Sequence, residues 1–203
     1  MNRQTAEYVW LIVFIAVLTW SGIQPKDQFT WFLEVLPALI GCVILVITYR
    51  KFRLTTLLYV LILLHCIILM VGGHYTYAEV PLFNEIQSIF GLERNNYDKV
   101  GHFFQGFVPA ILAREILIRK RIVNGNSWLN IIIVSLCLAF SALYELIEWW
   151  VALATGDDAE AFLSTQGYVW DTQSDMAWAL FASLTAILLL TKMHDNQLKN
   201  IKK

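Results

Sequence analysis

Three pairs of ionisable residues stand at spacings that put both members on one face of a helix: Asp98 with His102, Glu145 with Glu148, and Asp171 with Asp175. Carboxylates and imidazoles gathered in one place supply the donors that magnesium, manganese, iron or zinc accept. A cation held this way polarises an ester or generates a bound hydroxide, which is the chemistry of hydrolysis. Glu145 and Glu148, one turn apart, repel each other unless a proton or a cation sits between them. All six residues are therefore expected as donors to a divalent metal ion, with Glu145, Glu148 and His102 also handling protons. A proton relay through the same carboxylates is the physical rival. Helix capping accounts for Asp98 or Asp171 taken singly. It does not account for His102, Glu145, Glu148 or Asp175, which lie a turn or more inside their segments.

The setting of these residues is apolar. The 203-residue chain is 58% hydrophobic and 15% charged, against about 45–50% and about 25% in soluble domains. A soluble domain is excluded on that ground, and a formal net charge of −1 excludes a nucleic-acid binder, whose phosphate-facing surface needs a basic excess. Cys42, Cys66 and Cys137 lie in apolar runs with no paired spacing and read as small buried hydrophobes. Arg3 followed by Tyr8–Trp20 has the length of a signal peptide, yet no small-residue cleavage site follows, so the stretch is expected as an uncleaved first span.

Six stretches approach the roughly 20 apolar residues a span requires: Tyr8–Ile23, Phe29–Tyr49, Leu54–His74, Asp98–Ile118, Trp128–Ala154 and Asp171–Met193. The expected fold is an all-α, polytopic bundle of six transmembrane helices forming one integral membrane domain over residues 1–203. Orientation follows from basic residues, which favour cytoplasmic connections. Arg3, Arg50, Lys51, Arg53, Arg114, Arg119, Lys120, Arg121, Lys192, Lys199, Lys202 and Lys203 fall on one side, leaving Lys26, Arg94 and Lys99 on the other. The opposite connections carry Glu79, Glu85, Glu93, Asp157, Asp158 and Glu160. Both termini are thus expected in the cytoplasm. The fourth and sixth spans run inward with their pairs at their starts, and the fifth runs outward with its pair late. All three pairs, joined by His74 at the outer end of the third span, therefore fall toward the external leaflet in a recessed, wet pocket.

Between the third and fourth spans, Pro81–Gly91 carries Leu82, Phe83, Ile86, Ile89 and Phe90 at helical spacing, and is expected to be a short helix in the membrane interface or a lid over an external site. Trp10, Trp31, Trp128, Trp149, Trp150 and Trp170 read as interfacial anchors. Tyr97, Lys99, Gln105, Tyr144 and Gln173 flank the pairs as hydrogen-bonding groups or helix-end polar residues. His65 reads as a packing or interhelical hydrogen-bonding residue and His194 as part of a solvated tail. No Walker, Rossmann, nucleophile-elbow or zincin motif is present.

Four segments, Gly73-His-Tyr-Thr-Tyr, Tyr97-Asp-Lys-Val-Gly-His-Phe, Tyr144-Glu-Leu-Ile-Glu-Trp and Trp170-Asp-Thr-Gln-Ser-Asp-Met, together resemble the YjdF family of bacterial inner-membrane proteins across essentially the whole chain. The resemblance implies a multi-pass protein of the bacterial inner membrane. A weaker likeness is to VanZ-type membrane proteins, through Asp98-Lys-Val-Gly-His102-Phe103. That family usually has an amide-bearing residue where this chain has Glu148 and Asp175, and the likeness tilts the substrate toward cell-envelope molecules.

These readings make the leading expectation a metal-dependent membrane hydrolase acting on a lipid-linked or other envelope substrate, with the lipid bilayer as surroundings and no nucleic-acid partner. The alternatives are a proton- or cation-coupled transporter, weakened by the lack of an evident inverted repeat, and a noncatalytic membrane assembly factor.

Overall fold

The computed structural model describes residues 3–156 and 160–201. Among the described residues every regular element is a helix: α1 (Arg3–Gly22), α2 (Gln28–Thr48), α3 (Thr56–Tyr75), α4 (Pro81–Phe90), α5 (Tyr97–Arg119), α6 (Asn126–Thr155), α7 (Glu160–Leu163) and α8 (Asp171–Ile201). Asp157, Asp158, Lys202 and Lys203, all used in the charge argument, lie outside the described residues. Local chemistry sets the starts of two of these helices. The Asp27 carboxylate accepts from the Thr30 backbone N–H at 2.6 Å to open α2, and the Thr55 hydroxyl accepts from Leu58 N–H at 3.4 Å to open α3.

Five helices are long and apolar enough to cross a membrane: α1, α2, α3, α6 and α8. Their outward faces carry large exposed aliphatic groups such as Ile47, Val60, Leu153 and Leu188, the surface a bilayer would cover. The stretch expected as the fourth span forms α5. It is long enough, with 23 residues, but it is not among those five helices. The reason is its polar content: Asp98, Lys99, His102, Arg114 and Glu115 all lie on α5, and all are buried. α5 packs against α3, α6 and α8, so its neighbours stand between these groups and the surroundings.

Two close approaches fix this arrangement. A Cβ on Gly106 of α5 would collide with the carbonyl oxygen of Ala179 in α8, so glycine is what lets the two helices meet. Ala179, Ala182, Ser183 and Ala186, all wholly buried, continue the small-residue face of α8. At the end of α3, Thr76 and Tyr77 adopt left-handed backbone angles of +61° and +49°, which turn the chain back and lodge the Tyr77 ring between Gly72 of α3 and Gly101 of α5. A Cβ on Gly101 would lie 2.8 Å from that ring, and one on Gly72 closer still.

α4 forms where the apolar periodicity predicts it. Phe83 packs edge-on to Tyr97 at 5.2 Å, while Leu82, Ile89 and Phe90 stay exposed. One expectation needs correction. His194 is not in a solvated tail: α8 continues to Ile201 and buries His194 completely against α5. Trp10 and Trp31 also do more than sit at an interface, because their indole N–H groups donate to the Tyr59 carbonyl at 2.7 Å and the Ser21 hydroxyl at 3.1 Å.

Candidate metal centre

The site lies where α5 and α8 begin, beside the later half of α6. α5 presents Asp98 and His102 one turn apart, and α8 presents Asp171 and Asp175 in the same way. The Asp98 and Asp171 carboxylates are engaged with side chains from elsewhere in the fold. Asp171 Oδ1 accepts from Arg94 at 2.5 Å and from Lys99 Nζ at 2.9 Å, and Lys99 also reaches Asp175 Oδ1 at 2.6 Å. Arg94 is 3.7 Å from Asp98 Oδ2 and donates to the carbonyls of Ser164 and Thr165 at 3.2 Å each. Both cations lie over the Tyr168 ring, at 5.5 and 5.6 Å.

Each of the remaining carboxylate oxygens of Asp98 and Asp175 looks toward the same imidazole nitrogen. His102 Nε2 is 3.5 Å from Asp98 Oδ1 and 3.9 Å from Asp175 Oδ2. Neither separation makes a good hydrogen bond. Both suit donors arranged around a common ion, since ligand distances of about 2.0–2.2 Å leave neighbouring donors about 3–4 Å apart. One donor atom from each of Asp98, His102 and Asp175 lies within 4.8 Å of the others, and all three residues are buried.

Glu145 joins this group from α6. Its Oε1 is 3.7 Å from His102 Nδ1 and is buried without a hydrogen-bond partner. Glu148, one turn on, lines the adjoining cavity of about 100 Å³ together with Glu34, His65, Tyr77, Asp98, His102, Gln105 and Tyr144. Glu34, 5% exposed, accepts from the Tyr144 hydroxyl at 3.3 Å. Of the flanking residues, Tyr97 donates to the Ile68 carbonyl at 3.0 Å. Gln173 is exposed. His74, expected in the same layer, turns toward α1, where its Nδ1 lies 3.0 Å from the Ser21 carbonyl and its ring packs against Trp20.

A second buried polar cluster occupies the other end of α5 and was not anticipated. Glu115, wholly buried, accepts from the Thr55 hydroxyl at 2.8 Å and from Arg119 at 2.7 Å, and pairs with His194 Nε2 at 3.0 Å. His194 Nδ1 meets Arg114 at 2.9 Å, and Arg114 also pairs with Asp195 at 2.7 Å. The two clusters differ in charge. Glu115 and Asp195 are matched by Arg114 and Arg119. At the candidate site, among the described residues, Glu34, Asp98, Glu145, Glu148, Asp171 and Asp175 face only Arg94, Lys99 and His102. The first is a charge-balanced structural network. The second is short of positive charge, the condition under which buried carboxylates take up a cation or protons.

Glu34, in an apolar stretch, and Glu115, beside Arg114, are single acids inside span-length segments, which is a signal in itself. A search for paired spacings passes over them. The partnership of Lys99 and Arg94 with α8 has no counterpart in local spacing.

A helical bundle with five apolar, span-length helices and its ionisable groups gathered inside defines a multi-pass membrane protein. The chain belongs to the family described as "Predicted membrane protein (DUF2238)", which matches residues 6–196. It is 53% identical over 183 residues to the inner membrane protein YjdF of Escherichia coli (strain K12), covering 90% of this chain and 88% of that protein. No solved structure matches it. The resemblance to the YjdF family and the location in the bacterial inner membrane therefore hold.

Proposed function

We propose that this protein is a metal-dependent hydrolase with six transmembrane helices and both termini in the cytoplasm, acting on a lipid-linked envelope substrate at the external leaflet. The observation that carries the reading is the set of Asp98, His102 and Asp175, whose donor atoms converge within 4.8 Å in a recess short of positive charge. The topology draws on the basic residues of the connections, on the length of α5, and on its place inside the bundle. A divalent ion held there would polarise the scissile ester and lower the pKa of a bound water. Glu145, whose Oε1 is buried and unpartnered, would take the proton as the water oxygen bonds to the electrophilic centre. Glu148 would return a proton to the departing alkoxide as the ester bond breaks. Arg94 and Lys99 suit an anionic substrate group better than the carboxylates do.

A proton- or cation-coupled relay is the second reading. It is favoured by the reach of the cavity to His65, midway along α3, with Glu34 and Glu148 along its wall.

Elemental analysis of detergent-purified protein tests the first reading. Wild type should carry a divalent metal, and magnesium, manganese, zinc or iron should raise its melting temperature, because a ligand bound only to the folded state stabilises it by mass action. Asp175→Asn should fold and lose both effects, since an amide is a weaker, neutral donor. If wild type neither binds nor is stabilised by any of the four metals, the hydrolase reading fails and the relay takes its place.

A further inference from the structure

The cavity beside the donor set lies between two helices that do not pack along each other. α2 packs on α1 and α3, and α6 packs on α5 and α8. α3 and α5, in contact with each other, form the back of the cavity with Leu69 and Gln105, while Glu34 and Pro37 of α2 face Tyr144 and Glu148 of α6 across its front. We infer that this gap is a lateral portal: an amphiphile dissolved in the bilayer enters between α2 and α6, polar end first, and brings that end beside Asp98 and His102. That the entrant is a substrate rests on the lipid-linked reading above; the route does not.

The end of the bundle is closed more firmly than its side. α7 packs against both α2 and α6, and its Phe162 is 3% exposed. Next to it, Arg94 holds the carbonyls of Ser164 and Thr165, and Gln166 pairs with Asn95. Tyr77, 4% exposed, is wedged between Gly72 and Gly101. On the side, by contrast, Pro37 is exposed and Tyr144 and Glu148 are only partly buried, although all three line the cavity. The hydrogen bond that crosses the gap, from Tyr144 to Glu34 at 3.3 Å, is longer than a good hydroxyl bond and opens at little cost. Close to these residues in the chain, Ile40, Leu143 and Ile147 are exposed, a surface suited to hydrocarbon. The cavity itself measures about 100 Å³, the share of about three waters. That is room for a polar end and too little for a chain, so the hydrocarbon stays between the helices and in the lipid.

The test uses the full-length chain, freed of metal and reconstituted in phosphatidylglycerol vesicles. The probes are octanols carrying a photoreactive diazirine at either the third or the seventh carbon, with the labelled residues mapped by mass spectrometry. Label from the third carbon should fall on Leu69 and Gln105 inside the cavity, and label from the seventh on Ile40, Leu143 or Ile147 at its mouth. Pro37→Trp sets a ring in that mouth and should cut labelling of Leu69 and Gln105 several-fold, with label on the exposed Ile12 of α1 unchanged. Tyr144→Phe, which removes the crossing hydrogen bond without adding bulk, should raise it. Third-carbon label confined to outward-facing residues overturns the inference. So does cavity label that neither substitution alters, the sign of entry from the aqueous end. Cavity label as expected in a protein that binds no divalent metal upholds the portal and overturns the hydrolase reading instead, whereas bound metal without cavity label overturns the portal alone.

Discussion

Asp171 and Asp175 stand one turn apart on α8 and share Lys99, yet their surroundings give them different tasks. Asp171 Oδ1 is held by both Arg94 and Lys99, whereas Asp175 spends one oxygen on Lys99 and turns the other to His102. Asp171→Asn should therefore destabilise the metal-free protein by about 3–5 kcal/mol, the range for breaking a buried ion pair, as read by denaturation in detergent. Asp175→Asn should cost less stability and more metal affinity. Equal stability losses would return Asp171 to the donor set that spacing alone suggests. Packing makes a second distinction. Gly106→Ala drives a methyl into the Ala179 carbonyl and should cost about 1–3 kcal/mol, while Gly41→Ala, with nothing near the added carbon, should be tolerated. The three acidic and histidine pairs were legible because each lies within one helix, where spacing is geometry. Arg94 with Asp171, or Tyr144 with Glu34, depends on which helices become neighbours, and no local period encodes that.

Among the elements, α5 and α8 carry both polar clusters. At the candidate site, the starts of the two helices leave carboxylates in excess. At the other end they close a balanced network, to which Gln197 adds a side-chain acceptor for the free N–H of Leu57 in the first turn of α3, at 2.9 Å. The last two turns of α8 thus complete the start of α3. His194→Ala should cost about 1–3 kcal/mol by leaving Glu115 and Arg114 short of a partner. Ending the chain after Met193 should cost more, without altering metal content per folded molecule. Thermal unfolding beside elemental analysis separates the two effects, and loss of metal at unchanged stability would contradict the assignment of this end as structural. Hydropathy revealed α1, α2, α3, α6 and α8 directly. α5 required its length to be weighed against its charges, and the extent of α8 was hidden because its last turns, packed against α5 and the start of α3, look like a polar tail.

For the whole molecule, the two ends of the bundle make opposite demands on their surroundings. Reporter fusions near Arg53, Arg121 and the C-terminus should register the cytoplasm, and a fusion near Glu85 the external side; a cytoplasmic signal at Glu85 would overturn the proposed six-span topology. On the candidate-site side, the segment before α5 and the one before α8 are tied together by an unusual pairing. The Asn95 backbone N–H donates to Gln166 Oε1 at 3.0 Å, and the Gln166 side-chain amide donates back to the Asn95 carbonyl at 2.9 Å. Gln166 thereby imitates the edge of a strand, a rung of sheet in a molecule otherwise built of helices. With Arg94 clasping the neighbouring carbonyls of Ser164 and Thr165, the two segments are fastened to each other as well as through the chain between them. Covalent continuity across residues 157–159 then becomes dispensable: fragments ending at Gly156 and beginning at Glu160, made together in one cell, should find each other in the membrane and co-purify as a split protein.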